Sequence, residues 1–325
     1  MDTASSSKPE TSLLLNSLPK ELPAEFLKDI TDGFSPKRQL GRGAFGTVYR
    51  GTLTDGTEIA VKKIGSGSLV TPDKQFQNEV GNLMAVRHDN IVKLVGYCYE
   101  MKKTVVEHNG KYIIADTVDS LLCYEYMRMG SLENHIFAPS TLDWATRFKI
   151  IKGICQGLHF LHKGMDQPMV HMDLKPDNIL LDENMAPKIA DFGLSRLFGA
   201  EQTRMHTLNV VGAHGYMAPE YLYRGEISTQ LDIYSLGLLI IEITTGERNP
   251  RSKDDMSARN LVENVRQSWT IEHIVSKYSS LDANSLQQLK VCIEIGLQCV
   301  ETDRKKRPPI EHIVNKLDGR LWDKQ

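Results

Sequence analysis

Between His171 and Gly193 the chain carries His171-Met172-Asp173-Leu174-Lys175-Pro176-Asp177-Asn178 and then Asp191-Phe192-Gly193. These side chains suit phosphoryl transfer, which needs a carboxylate to orient a hydroxyl and take its proton, oxygen ligands for a metal that neutralises a polyphosphate, and a cation for the migrating group. Asp173, Asn178 with Asp191, and Lys175 fill those roles in turn. Taken singly, each could be a loop carboxylate, a surface lysine or a capping asparagine. Their order and spacing carry the reading.

Upstream, Gly41-Arg42-Gly43-Ala44-Phe45-Gly46-Thr47-Val48 is a Gly-x-Gly-x-x-Gly run, in which backbone without Cβ atoms can approach phosphates closely. A dinucleotide-binding loop would open a helix, whereas Thr47-Val48-Tyr49-Arg50 continues as strand and turns back at Asp55-Gly56. The expected element is therefore a hairpin over phosphates. On the returning strand Ile59-Ala60-Val61-Lys62, alternation puts Ala60 and Lys62 on one face and Ile59, Val61 and Lys63 on the other. Lys62 is then the lysine for phosphates, and Glu79 its partner.

The elements that must hold these residues follow from periodicity. Phe34 to about Ile64 reads as antiparallel strands. Thr71-Pro72-Asp73 starts a helix with Pro in its first turn, and Phe76, Val80, Leu83 and Met84 form its stripe, with Glu79 beside Val80. Strands resume at Ile91–Tyr99 and Leu121–Tyr126, and between them Asn109-Gly110 predicts the turn of an extended hairpin over Met101–Ser120, either a neutral surface insertion or a docking element. From Gly130 on the pattern is helical, over Trp144–His162, Leu231–Thr244, Leu286–Val300 and Ile310–Leu317. Residues 1–24, rich in Ser, Thr, Pro, Lys and Glu, read as an arm with only Leu13-Leu14-Leu15 to bury.

Composition excludes little but agrees. The 325 residues are 41% hydrophobic with a net charge of −2, so no global field points to nucleic acid or an anionic membrane. Five scattered cysteines without a Cys-x-x-Cys pair fit a reducing compartment and not a zinc site. The best apolar run, Leu236–Ile241, is too short to span a bilayer, and Asp2 stands where myristoylation needs glycine. The expected location is cytoplasmic, at a membrane only where a partner holds the chain there. Arg304-Lys305-Lys306-Arg307 reads as a solvated basic loop, and His88, His159 and His162 as packing or surface residues.

With Ala218-Pro219-Glu220 added, the set from about Leu40 to Arg307 resembles the eukaryotic protein kinases. Leu94-Val95-Gly96-Tyr97-Cys98, Tyr124-Glu125-Tyr126-Met127, Gly130-Ser131-Leu132 and Gly215-Tyr216-Met217-Ala218-Pro219-Glu220 are most similar to plant receptor-like and receptor-like cytoplasmic kinases. The resemblance implies an α+β, two-lobed fold, with a small β-rich N-lobe bearing one main helix and a larger, mainly helical C-lobe. It places a largely disordered arm at 1–33, the N-lobe at 34–124, the hinge at 125–130, the C-lobe at 131–321 and a tail at 322–325. It implies ATP with Mg2+ in the cleft, held by Leu40, Gly41, Gly43, Gly46, Val48, Ala60, Lys62, Tyr124 as gatekeeper, Glu125 and Met127. Asp232 and Arg307 become structural residues, the latter paired with Glu220. Lys175 is closer to the serine/threonine pattern than to the tyrosine one. Protein substrates and a receptor or partner kinase are the implied partners, with no nucleic acid and no membrane insertion.

Two departures stand out. Met172 occupies the place of an arginine that clamps an activation-loop phosphate, so control through Thr203 or Thr207 is expected to be weak. Arg196 and Arg204 are the only substitutes in that loop. Ala213 replaces a threonine whose hydroxyl bridges the catalytic Asp and Lys. These two positions are what a nucleotide-binding scaffold without turnover would rest on, and Ala213 leaves a dual-specificity enzyme open.

Overall fold

The computed structural model describes residues 18–43, 45–65, 71–137, 142–199, 204–250 and 256–320. Leu13–Leu15, Thr203 and the 322–325 tail lie outside them. The chain divides into two compact units, one of residues up to Arg87 with Val92–Tyr126, the other of His88–Ile91 with residues from Met127 on. The division after Tyr126 falls inside the expected 125–130 hinge.

In the first unit a sheet has the strand order β1-β5-β6-β4-β3-β2, with β1 Lys20–Glu21, β2 Gln39–Gly43, β3 Gly46–Thr52, β4 Glu58–Ile64, β5 Leu94–His108 and β6 Lys111–Glu125. Register pairs Lys62 with Val48 and Leu122, and Ala60 with Tyr124. Directly opposed residues share a face, so these side chains lie together while Ile59 and Val61, both fully buried, point to the other side. Alternation had predicted this. β5 and β6 run on as a two-stranded ribbon to Asn109 and Gly110, whose φ values of 51° and 73° make the hairpin turn that Asn-Gly favours. The separate strands expected on either side of Met101–Ser120 are thus continuous with it. Ile91 belongs to neither, bridging instead to Ile189 in the other unit's own core.

The expectation of a largely disordered arm to residue 33 is corrected for its described part. Helix α1, Ala24–Ile30, buries Ala24, Leu27 and Ile30. With Leu22 these pack on Ile59, Val61, Val95, Cys98, Leu121 and Cys123, the sheet face opposite Lys62. The Ala24 N–H donates to Glu100 at 2.7 Å, and β1 pairs in parallel with β5 at Gly96 and Tyr97. Two turns of helix are too short to show a period, but they cover an apolar face that water would otherwise meet.

Helix α2, Pro72–Leu83, has Pro72 in its first turn as expected. Its inward face is rotated from the expected stripe: Gln75, Phe76, Glu79, Asn82 and Leu83 are buried, and Val80 and Met84 only half-buried. Glu79 therefore lies on the inward face itself. Phe76 packs tilted against Tyr99, ring centroids 5.2 Å apart, and seats the helix on the sheet.

The second unit is built around α6, Thr229–Thr245, buried along almost its whole length. Around it lie α3 Glu133–Ile136, α4 Trp144–His159, α5 Pro219–Arg224, α7 Met256–Ser268, α8 Ile271–Lys277, α9 Ala283–Cys299 and α10 Ile310–Leu317. Small strands carry its loops: β7 Gly130–Ser131 and β10 Pro187–Ile189 flank β9 Ile179–Leu181, β8 Met169–Val170 pairs with β11 Arg196–Leu197, and β12 Met205–His206 with β13 Glu226–Ile227. The α4 pattern read to His162 ends as α-helix at His159 and widens into a π-helical turn over Phe160–Gly164. The basic run is only partly a solvated loop: Arg307 is buried and forks onto Glu220 at 2.6 and 2.8 Å, while Arg304 faces Glu226 at 3.5 Å. No helix among the described residues is long and apolar enough to cross a membrane.

The five cysteines are all buried. Burial pushes the Cys98 thiol up to about 12 and raises Cys123, Cys155, Cys292 and Cys299 as well. A raised pKa lowers the thiolate fraction at any neutral pH, and thiolate is the reactive form. Iodoacetamide at pH 8 should therefore label none of them in the native protein and all five after unfolding, counted by intact mass. A native thiol that labels as fast as free cysteine would show that the core opens locally.

Candidate active site

In the first unit, Lys62 sits on β4 and Glu79 on the inward face of α2, and their ion pair closes at 3.0 Å with both groups almost fully buried. A buried ammonium and carboxylate are tolerable only when paired and further hydrogen-bonded. The Tyr124 hydroxyl supplies the further bond, donating to Glu79 Oε1 at 2.5 Å. The kinase resemblance implied Tyr124 as gatekeeper and gave no sign of this contact, which couples β6 to the Lys62–Glu79 pair. Lys63, on the other face, is exposed and lies over the Phe34 ring at 4.8 Å.

The glycine run forms the β2–β3 hairpin, with Gly43 opposite Gly46. Its glycines differ in their cause. At Gly46, φ is 142° and a Cβ would lie 2.2 Å from the Lys63 carbonyl oxygen, so the hairpin itself demands glycine. At Gly41 and Gly43 a Cβ would meet nothing within 4 Å. No neighbour in the protein requires them to be small, and the open space fits close approach of a phosphate group to the backbone. Leu40 is exposed and Val48 half-buried, while the Glu125 carboxylate accepts from the Lys93 N–H at 2.8 Å.

In the second unit three groups converge on Asp173. The Lys175 ammonium lies 2.7 Å from its Oδ2, the Asn178 amide donates to Oδ2 at 2.8 Å, and the Ala213 N–H donates to Oδ1 at 3.0 Å. Burial raises the Asp173 carboxyl above the usual range, with Lys175 pulling it down and Asp191 pushing it up. Such a carboxylate is a better proton acceptor than an exposed one. Where the threonine hydroxyl would have bridged, Lys175 meets Asp173 directly and the backbone of Ala213 takes the other oxygen.

The loop is fixed from beneath. Asp232 on α6 accepts from the N–H groups of His171 and Met172, both at 2.8 Å, and from His162 at 2.9 Å. His171 Nε2 meets the Ala190 carbonyl at 3.0 Å, which can only accept, so that nitrogen carries the proton and Nδ1 is left to accept from the Asp173 N–H. Met172 is held at φ 71° and Asp191 at φ 67°, conformations that non-glycine residues rarely take. Met172 is buried, so no cation stands beside Asp173 at that position.

The described part of the following segment is tied largely through backbone groups. β12 pairs with β13, and the Thr207 N–H donates to the Gly225 carbonyl at 3.0 Å. Arg196 lies on β11 with its guanidinium on the Leu194 and Ser195 carbonyls at 3.0 and 2.9 Å.

A family model described as the protein kinase domain matches residues 34–317. The chain belongs to the protein kinase family. Cysteine-rich receptor-like protein kinases 28 and 29 of Arabidopsis thaliana are 40% and 42% identical to it over 303 residues, each alignment covering 91% of this chain and 42% of the relative. A G-type lectin S-receptor-like serine/threonine-protein kinase of the same plant is 38% identical over 305 residues, 91% of this chain and 34% of the relative. The kinase domain described here thus spans less than half the length of these relatives.

Members of this family use ATP and a divalent metal, and the residues present fit both. The Asn178 Nδ2 donates to the Asp173 main-chain oxygen and to Oδ2, both at 2.8 Å, which turns its carbonyl oxygen away from Asp173. That oxygen and the half-buried Asp191 carboxylate are hard donors, suited to a magnesium-class cation and not to zinc.

Because Tyr124 and Lys62 both hold Glu79, Tyr124→Phe should lower the phosphorylation rate about tenfold, the order expected for loss of one hydrogen bond to a charged group. Lys62→Met should lower it about a hundredfold or more, and Lys63→Met less than about threefold, since its ammonium points to the other sheet face. Initial rates at saturating ATP check this. Equal losses at Lys62 and Lys63 would contradict the strand register.

Proposed function

We propose that this chain is a serine/threonine protein kinase transferring the γ-phosphoryl group of Mg·ATP to protein hydroxyls. The convergence of Lys175, Asn178 and the Ala213 N–H on a buried Asp173 carries the reading. Asp173 orients the attacking hydroxyl and takes its proton as the oxygen bonds to the γ-phosphorus and the bond to the β–γ bridging oxygen breaks. Lys175 stands beside it as a cation for the migrating group. Gly41 and Gly43 leave their backbone open to phosphates, and Lys62, fixed by Glu79 and Tyr124, supplies positive charge to them. Asn178 and Asp191 would hold magnesium, which when bound neutralises the triphosphate charge.

The relatives' names point to receptor-linked signalling. We propose that the kinase domain acts on protein substrates with or downstream of a receptor or partner kinase, on the cytoplasmic side. Lys175 favours serine and threonine over tyrosine, and phosphoamino-acid analysis of a generic protein substrate distinguishes these from a dual-specificity enzyme.

Asp173→Asn removes the proton acceptor and Asp191→Asn a metal ligand, and each should lower transfer about a hundredfold or more while the thermal midpoint shifts only by about 2 to 4 °C. Transfer by Asp173→Asn at the wild-type rate would show that Asp173 is not the proton acceptor, and no transfer above background by the wild type itself would leave a nucleotide-binding scaffold.

A further inference from the structure

Two positions where a kinase segment would be anchored by a side chain lack one here: Met172 has no charge and Ala213 no hydroxyl. The segment leading to Ala213 is nonetheless held close to Asp173, and the group that holds it is Tyr221. Its ring is fully buried on α5. Its hydroxyl accepts from the Val211 N–H at 2.9 Å and donates to the Val211 carbonyl at 2.8 Å. One hydroxyl therefore satisfies both backbone groups of one residue, which fixes the two peptide planes flanking Val211.

Only Gly212, at φ 144°, separates this clamp from Ala213, whose N–H reaches Asp173 Oδ1 at 3.0 Å. Over so short a span, movement at Val211 is passed to the donor on the carboxylate. Donation to the Val211 carbonyl requires the hydroxyl to keep its proton. Burial raises the phenol's pKa and so keeps it protonated near neutral pH.

We propose that Tyr221 is a positioning residue for phosphoryl transfer: its hydroxyl fixes Val211 so that the Ala213 N–H orients Asp173, taking the place of the missing threonine bridge. The proposal rests on Asp173 being the proton acceptor. It concerns the rate of transfer and the peptide substrate, not nucleotide affinity.

The test is Tyr221→Phe, which keeps the ring and removes only the hydroxyl, measured beside wild type, Asp173→Asn, Ala213→Thr and the Tyr221→Phe/Ala213→Thr double variant. Tyr221→Phe should lower kcat for a peptide about tenfold, since small misplacements of reacting groups carry large rate costs. KM for ATP should stay within about twofold of wild type. Ala213→Thr, by restoring the bridge, should raise kcat more in the Tyr221→Phe background than in wild type, a coupling that a purely structural tyrosine would not produce. Amide hydrogen exchange should show Val211 and Ala213 protected in the wild type without nucleotide, and exposed in Tyr221→Phe while α6 stays protected.

A kcat of Tyr221→Phe within about twofold of wild type, beside an inactive Asp173→Asn, would overturn this proposal alone. An active Asp173→Asn would overturn the parent reading. Should Tyr221→Phe fail to fold, the wild-type exchange still decides, because a Val211 amide exchanging as fast as an unprotected loop amide means that the clamp does not exist.

Discussion

The Asp232 carboxylate, buried in the middle of the second unit, is the constraint on which the chemistry there depends. It accepts two consecutive backbone N–H groups, those of His171 and Met172, and the His162 ring. Three donors on one carboxylate offset its desolvation and hold Met172 at a positive φ that the residue would not otherwise keep. The turn that results aims Asp173 toward Lys175, Asn178 and Ala213. His171 completes it with a fixed tautomer, bonded to Ala190 on one side and to the Asp173 N–H on the other. The loop that carries Asp173 is thus shaped by bonds to its own backbone from a helix that is itself core.

Order in the described part of the activation segment is reached by the same means. In a clamp-dependent kinase a phosphate dianion recruits an arginine beside the catalytic aspartate and orders the loop by charge-assisted pairing. Here Met172 is buried apolar surface, and the segment is tied by a short β pair, by Tyr221 on Val211 and by the Ala213 N–H. Each neutral bond contributes about 1 kcal/mol net and the Ala213 N–H bond to the Asp173 carboxylate about 1.5–3 kcal/mol, so together they leave little for a phosphate to add. Arg196 is tied to carbonyls of its own strand region, so recruiting it to a phosphate would cost those bonds.

Much of this was legible in sequence where the signal is local. Period two separated Lys62 from Lys63, Asn109-Gly110 marked the tip of a ribbon, and the spacing from Asp173 to Asn178 singled out two side chains that meet at 2.8 Å. Contacts made by side chains that belong to no motif or period were not. Tyr124 on Glu79, Tyr221 on Val211 and the fork of Arg307 on Glu220 join residues 45, 10 and 87 positions apart. No period or motif encodes the first two, and only family resemblance supplied the third. Helix α1 was missed for a different reason. Its apolar residues are too few to show a stripe, and its stability comes from the sheet face it covers rather than from its own propensity.

The central claim is that backbone contacts, not a phosphorylated loop, set the catalytic geometry. It is tested most directly by single-turnover transfer to a peptide before and after complete phosphatase treatment, with phosphate loss confirmed by mass. The account predicts a fall of less than about fivefold, since no cation waits at Met172 for a phosphate. A fall of about a hundredfold, restored by rephosphorylation at Thr203 or Thr207, would contradict it.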